Sequence, residues 1–106
     1  SGKVSGNDLI VSYVIFNNFS KANLENANFK NAKLWHANFY SANLTNADLS
    51  GADLRKAFFG NADFSNANLS NANLSNANLE GANLSGAIWD ESTILKCKNH
   101  PICNNS

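Results

Sequence analysis

The sequence predicts an all-β solenoid, in which short extended segments alternate with regular corners along most of the chain. Three observations carry this prediction. Every alanine falls in one five-residue register, a large apolar residue follows each alanine by two positions, and turn-forming pairs fill the remaining positions. The register runs without a break from Ala22 to Ala87. Repetition at a fixed period is typical of repeat proteins, in which stacked units share one continuous core.

The large apolar residue is Leu, Phe or Trp in every unit from Leu24 to Trp89. A five-residue period excludes an amphipathic helix, because five steps of about 100° distribute these residues around the whole cylinder. In an extended segment, the alanine and the apolar residue share one face, and the residue between them points outward. That outward residue is usually polar, as at Asn23, Asp48 and Asn68.

Two residues separate each apolar residue from the next alanine, and they are pairs such as Ser-Asn and Ser-Gly, which favour turns. The register extends in a weaker form back to Leu9 and forward to Ile94, where Ser92 takes the place of alanine. We therefore predict a repeat domain over residues 9–96. Residues 1–8 are an N-terminal cap or cloning residues, and residues 97–106 are a C-terminal tail.

The unit at residues 47–51, Ala-Asp-Leu-Ser-Gly, resembles the A-(N/D)-(L/F)-x-x motif of the pentapeptide-repeat proteins. The resemblance covers the whole predicted repeat domain. It implies a right-handed, four-sided parallel β-helix with four units per coil. The predicted domain then contains about 4.5 coils, with short non-repeating caps at its ends.

Four units per coil place residues 20 positions apart on top of each other. Two inward columns then form core ladders: Phe19, Phe39 and Phe59, and Leu9, Phe29, Leu49, Leu69 and Trp89. Outward asparagines also form columns, and we expect their amides to hydrogen-bond along the stack, as in other ladders of identical polar residues. This expectation gives the 21 asparagines of the chain a structural role.

One part of the predicted surface departs from the repeat, with aromatic and basic residues at outward and corner positions. Its members are Lys33, Trp35, His36, Tyr40, Arg55, Lys56 and Phe58. Exposed aromatic residues together with arginine are typical of protein interfaces, so this set is a candidate partner surface. The alternative is structural: Trp35 and Arg55 stack as a cation–π pair that shields one edge of the rod.

The two cysteines of the chain, Cys97 and Cys103, lie in the tail. We predict a disulfide between them, which indicates an oxidising compartment. Free thiols are one alternative. A metal site with His100 as a third ligand is another, although structural zinc usually takes four ligands. No cofactor is expected. An extracytoplasmic location follows, with the bacterial periplasm favoured, the thylakoid lumen as an alternative, and the cytoplasm if the thiols are free.

Composition and charge limit the function. Eight basic and eight acidic residues give zero formal net charge, which disfavours nucleic-acid binding, and no apolar run approaches the roughly 18 residues of a membrane-spanning helix. No catalytic motif is recognisable, so we expect neither an enzyme nor a small-molecule substrate. The sequence predicts a rigid structural or protein–protein interaction module with an unidentified protein partner. The alternative comes from the resemblance, because some pentapeptide-repeat proteins mimic DNA and bind the topoisomerase gyrase.

Overall fold

The computed structural model of the chain describes residues 17–104. Successive coils are joined by parallel backbone bridges between residues 20 apart, from Asn18–Asn38 to Asn68–Ile88. Each extended segment is so short that it contributes a single bridged residue, and residues 17–104 contain no α-helix and no longer strand. The predictions made for residues 1–16, including Leu9 and the N-terminal cap, lie outside the described residues.

The bridges define four faces, which are named here by their stacked outward residues. Face 1 carries Asn18, Asn38, Phe58, Asn78 and Lys98; face 2 carries Asn23, Asn43, Asp63 and Asn83; face 3 carries Asn28, Asp48, Asn68 and Ile88; and face 4 carries Lys33, Asp53, Asn73 and Ile94. Neighbouring coils on one face are about 4.8 Å apart, the usual spacing of paired strands.

Each corner between faces is a β-turn. At the first described corner, the Ala22 N–H donates to the Phe19 carbonyl at 3.0 Å, and the later corners repeat this bond. The third turn residue has a positive φ, for example 64° at Asn26 and 69° at Gly51. This geometry is that of a type II turn, in which glycine and asparagine best tolerate the left-handed conformation. The Ser-Asn and Ser-Gly pairs of the sequence therefore match the turns that they form.

The outward Asn and Asp residues stabilise these turns locally. On every one of them from Asn18 to Asn83, Oδ1 accepts the backbone N–H two residues later, as Asn68 does from Ser70 at 2.9 Å. Between repeat units of the described chain, one amide contact along the stack occurs, from Asn43 Nδ2 to Asn23 Oδ1 at 3.5 Å. The predicted hydrogen bonding along the stack is therefore limited to this pair among the described repeat units, and the local turn is the main partner of these side chains.

The inward residues form one apolar core. Phe19, Phe39 and Phe59 stack nearly parallel, with ring centroids 5.0 and 4.9 Å apart, and Phe39 and Phe59 are fully buried. In the neighbouring column Phe29 is also fully buried, but Trp89 is 38% exposed. The prediction of Trp89 as a core residue is wrong, because no further coil covers this side of the last coil within residues 17–104.

The repeat register changes after Trp89. Asn73 is bridged to Ile94, 21 residues later, which places one extra residue in the preceding corner. There Thr93 Oγ1 accepts the Asp90 N–H at 3.1 Å and donates to the Leu69 carbonyl at 2.9 Å. Leu95 consequently packs against the core, while Ile94 is 39% exposed. The predicted inward position of Ile94 is therefore wrong by one residue.

The tail covers part of the last coil. Cys97 is fully buried and forms a disulfide with Cys103, with a Cα–Cα distance of 5.0 Å, and Ile102 packs against the core beside it. His100 Nε2 lies 3.2 Å from the Ala82 carbonyl, and His100 Nδ1 accepts the Ile102 N–H at 3.2 Å. Because both sulfurs and both imidazole nitrogens are engaged, neither free thiols nor a metal site on these residues fits the structure.

Candidate protein-interaction surface

The residues predicted to form a partner surface lie on face 1, its two corners and the adjacent face 4. Trp35, His36, Arg55 and Lys56 form the corner between faces 4 and 1, Phe58 lies on face 1, Tyr40 lies at the corner between faces 1 and 2, and Lys33 lies on face 4. We call these seven residues the aromatic–basic patch. The 20-residue register places them on two adjacent coils, and their role as a partner surface stays a prediction.

A stacked ring pair forms the centre of the patch. The rings of Tyr40 and Phe58 are 5.7 Å apart between centroids, and their planes differ by 3°. Phe58 is 38% exposed, and it stands where Asn38 and Asn78 stand on the neighbouring coils. Phenylalanine has no oxygen for the turn, so no oxygen of the described residues accepts the Gly60 N–H. The aromatic pair thus replaces a turn-stabilising hydrogen bond.

Gly60 is part of the same arrangement. A Cβ at this position would lie 2.8 Å from Phe58 Cζ and 3.3 Å from Tyr40 Cδ1, so the two rings lean over the glycine. Gly60 is buried, unlike the exposed Glu80 one coil further along the same corner. Any larger residue would push the rings apart.

A shallow groove of about 200 Å³ lies beside the ring pair, lined by Tyr40, Phe58, Gly60, Asn61 and Glu80. Tyr40, Gly60 and Glu80 stack in one column, and the rings of Tyr40 and Phe58 occupy the space that a side chain at Gly60 would need. The Glu80 N–H donates to Asn78 Oδ1 at 3.0 Å, while its carboxylate makes no ion pair with any residue in the 17–104 range. Sequence reasoning named Tyr40 and Phe58 but missed Gly60, Asn61 and Glu80. The available signal was the single glycine in a column that also holds tyrosine.

At the opposite corner of face 1, Trp35 and His36 pack edge to face with centroids 4.5 Å apart, and both are half-buried. His36 and the residue above it, Lys56, have φ values of 62° and 61°. These are left-handed conformations, which β-carbon-bearing residues other than asparagine adopt at a cost. The corner therefore presents an imidazole and an ammonium group on a strained backbone.

Arg55 is held by Asp53. Its Nε and Nη2 atoms donate to the two carboxylate oxygens, each at 2.8 Å. The hydrogen bond from Arg55 holds the pKa of Asp53 below its usual value, with a smaller contribution from the positive charge of Lys33. Asp53–Arg55 is the single ion pair within 4 Å in the described part of the chain, although Lys33 lies next to Asp53 in the column of face 4. Lys33 and Lys56 supply the unpaired positive charge of the patch.

Two further properties concern the described residues alone. Residues 17–104 contain no cluster of three His, Cys, Asp or Glu side chains that could hold a metal ion. The same range contains no helix of the length and apolar character that crossing a bilayer requires.

Comparison with known proteins identifies the family. The family profile described as "Pentapeptide repeats" matches eight copies, over residues 22–61 and 47–86. The chain belongs to the pentapeptide-repeat family. Membership implies a right-handed quadrilateral β-helix, in agreement with the four faces and the 20-residue register. No curated protein matches the chain.

Solved structures of other pentapeptide-repeat proteins resemble the chain. One from Nostoc PCC 7120 is 33% identical, with a TM-score of 0.58, over 80% of this chain and 78% of its own. One from the Arabidopsis thaliana thylakoid lumen is 44% identical, with a TM-score of 0.40, over 79% of this chain and 55% of its own. HetL of Nostoc sp. PCC 7120, which is involved in regulating heterocyst differentiation, is 30% identical, with a TM-score of 0.39, over 77% of this chain and 40% of its own. The chain thus matches little more than half of the Arabidopsis protein and less than half of HetL.

Proposed function

We propose that this pentapeptide-repeat chain is a non-enzymatic interaction module, a rigid rod whose aromatic–basic patch binds a protein partner. The main support is that departures from the repeat gather around face 1. Within residues 17–104, four corner residues of the repeat combine a positive φ with a side chain other than that of asparagine, and all four border face 1: Lys21, His36, Ser41 and Lys56. Phe58 stands on the same face.

These departures reduce stability locally. A left-handed residue other than glycine costs on the order of 1 kcal/mol. A buried N–H that lacks an acceptor costs about 1–3 kcal/mol, and the N–H of the buried Gly60 has none among the described residues. Asparagine or glycine at the corners and asparagine at position 58 would remove both costs, as elsewhere in the rod. Residues that break a local rule without a structural return are typical of functional sites.

The location that we propose is extracytoplasmic, with the bacterial periplasm favoured over the thylakoid lumen. The support is the Cys97–Cys103 disulfide, since such bonds persist in oxidising compartments. Thiol titration of the denatured, unreduced native protein, together with its intact mass, tests this. We expect no titratable thiol and a mass that is two hydrogen atoms below that of the reduced protein. Two free thiols would contradict the proposed location.

Site-specific photocrosslinking in native extract tests the proposed interaction. A photoreactive phenylalanine analogue at position 58 should yield a discrete crosslinked protein. The matched control is the same analogue at position 68, which occupies the equivalent outward position on face 3. Adding Tyr40→Ser to the probe at position 58 should abolish the crosslink while the circular dichroism spectrum is unchanged. Equal products from positions 58 and 68 would refute the proposal.

The alternative, a DNA mimic that binds gyrase, needs an acidic surface. The chain has zero formal net charge, and its patch carries Lys33 and Lys56. These charges favour the interaction module over the mimic. A supercoiling assay separates the two: inhibition of gyrase by the purified chain in molar excess would support the mimic, and undiminished supercoiling would count against it.

A further inference from the structure

We propose that the groove beside Tyr40 and Phe58 binds an arginine side chain from an extended segment of the partner protein. This inference rests on the proposed function, because it assigns a chemical class to the ligand of the same surface. The groove combines two features that suit a planar cation, an aromatic wall and a carboxylate at one end.

The aromatic wall attracts positive charge. The faces of the tyrosine and phenylalanine rings carry negative electrostatic potential, and a cation within about 6 Å of a ring centroid is stabilised by it. The parallel stack of Tyr40 and Phe58 leaves Phe58 partly exposed beside the groove. A ligand group that enters the groove therefore contacts the exposed part of the Phe58 ring on one side.

Glu80 supplies the opposite charge. Its side chain is exposed, lines the same groove, and has no ion-pair partner among the residues that the structure describes. Arg55, the one arginine of the sequence, is already held by Asp53 through two hydrogen bonds. The groove thus has at one end a carboxylate without an ion-pair partner among the described residues, which disfavours an acidic ligand and favours a basic one.

The geometry favours arginine over lysine. Tyr40 and Glu80 are two coils apart, or about 10 Å at the usual strand spacing, with the side-chain-free Gly60 between them. A guanidinium group can stack on a ring with its flat face and donate two hydrogen bonds to a carboxylate with its edge. An ammonium group is a compact, strongly hydrated charge that cannot make both contacts in this way.

The size of the groove favours a side chain over a whole small molecule. Sites that enclose small ligands usually have volumes of about 300–1,000 Å³ and bury most of the ligand. This groove has about 200 Å³ and lies open on the surface of the rod. It can hold the end of one long side chain, whose backbone then runs across face 1.

Chemical-shift titration of the isotope-labelled chain tests the inference with three probes: N-acetylarginine amide, N-acetyllysine amide and the neutral isostere N-acetylcitrulline amide. We expect saturable shifts at Gly60, Asn61 and the rings of Tyr40 and Phe58 with arginine, and about tenfold weaker binding of citrulline, which corresponds to roughly 1.4 kcal/mol. Shifts of equal size with citrulline, or arginine-induced shifts confined to other faces, would overturn the inference.

A matched pair of variants separates the groove from general surface charge. Glu80→Gln should weaken arginine binding about tenfold, whereas Glu25→Gln should not change it. Glu25 is also an exposed glutamate, at the same position of its turn, and its N–H donates to Asn23 Oδ1 at 3.2 Å. Equal effects of both substitutions would contradict the assignment.

The two proposals fail in different ways. If the crosslink from position 58 persists while arginine does not bind, the patch binds a partner by other chemistry and the arginine inference alone is wrong. If arginine binds in the groove but position 58 yields no specific crosslink, the partner surface is wrong. A proline or aromatic amide that binds the groove more tightly than arginine would also overturn the arginine inference.

Discussion

Replacing Asn38 with alanine should destabilise the chain by about 1 kcal/mol, whereas aspartate at the same position should cost much less. Asn38 Oδ1 accepts the Tyr40 N–H at 2.9 Å, and both residues are half-buried. The backbone of Asn38 bonds to Asn17 and Phe19 on the adjacent coil, and these bonds do not involve the side chain. Alanine therefore removes one turn hydrogen bond, while the aspartate carboxylate retains the acceptor.

Asn38 is suited to this comparison because its column neighbours are Asn18 and Phe58, neither of them acidic. For a domain of this size, about 1 kcal/mol corresponds to a fall of roughly 4–8 °C in the melting temperature. Thermal and urea unfolding at neutral pH measure the change, and Asn68→Ala on face 3 should reproduce it away from the patch. If aspartate lowers the free energy of unfolding as much as alanine does, the amide N–H donor of Asn38 contributes more than its oxygen. Hydrogen bonds along the stack would then outweigh the local turn.

Three further predictions concern a corner, a carboxylate and the tail. Lys56→Asn should raise the free energy of unfolding in urea by about 0.5–1 kcal/mol, because asparagine tolerates the positive φ better; an unchanged urea midpoint would contradict this. The hydrogen bond from the Ser65 hydroxyl holds the pKa of Asp63 below its ordinary value of 3.8. The folded pKa is the lower one, so the stability that this group adds is present above pH 3.8 and is lost as the pH falls through the folded pKa. Asp63→Asn should therefore flatten the acid limb of the stability profile, and an unaltered limb would argue against it. Reducing Cys97–Cys103 should cost about 2 kcal/mol from loop entropy and speed amide exchange in the tail; unchanged exchange would show that packing alone holds the tail.

Much of the fold was predictable because it depends on a period. Alternation along an extended segment decides which residues point inward, so the alanine register placed Phe39 and Phe59 correctly in the core. The end of the rod was less predictable. Ser92 and Thr93 are equally plausible corner residues, and only the structure shows that one extra residue shifts Ile94 outward and Leu95 inward. Neither the composition nor the five-residue period shows where a turn contains one extra residue.

The candidate site was predictable to a similar extent. The 20-residue register brought Tyr40 and Phe58 to adjacent coils, but their stacking depends on side-chain rotation, which the register does not determine. The same limit applies to Gly60 and Glu80, because a groove depends on a side chain that is missing and on the direction of its neighbours. The asparagine columns were predictable only in part for a related reason: sequence identifies the amide but not which N–H its oxygen accepts.

The solenoid architecture explains how the chain tolerates a costly surface at the middle of its length. Each coil contacts only its neighbours, so a strained corner or an unpaired N–H lowers the stability of one interface and leaves the others intact. The inward columns through the patch remain consensus residues, with Ala37, Ala57, Phe39 and Phe59 all buried. Stability therefore resides in the inward positions, and the outward and corner positions are free to diverge. For this reason the departures at Phe58, His36 and Lys56 support the proposed partner surface, whereas the inward positions follow from packing alone.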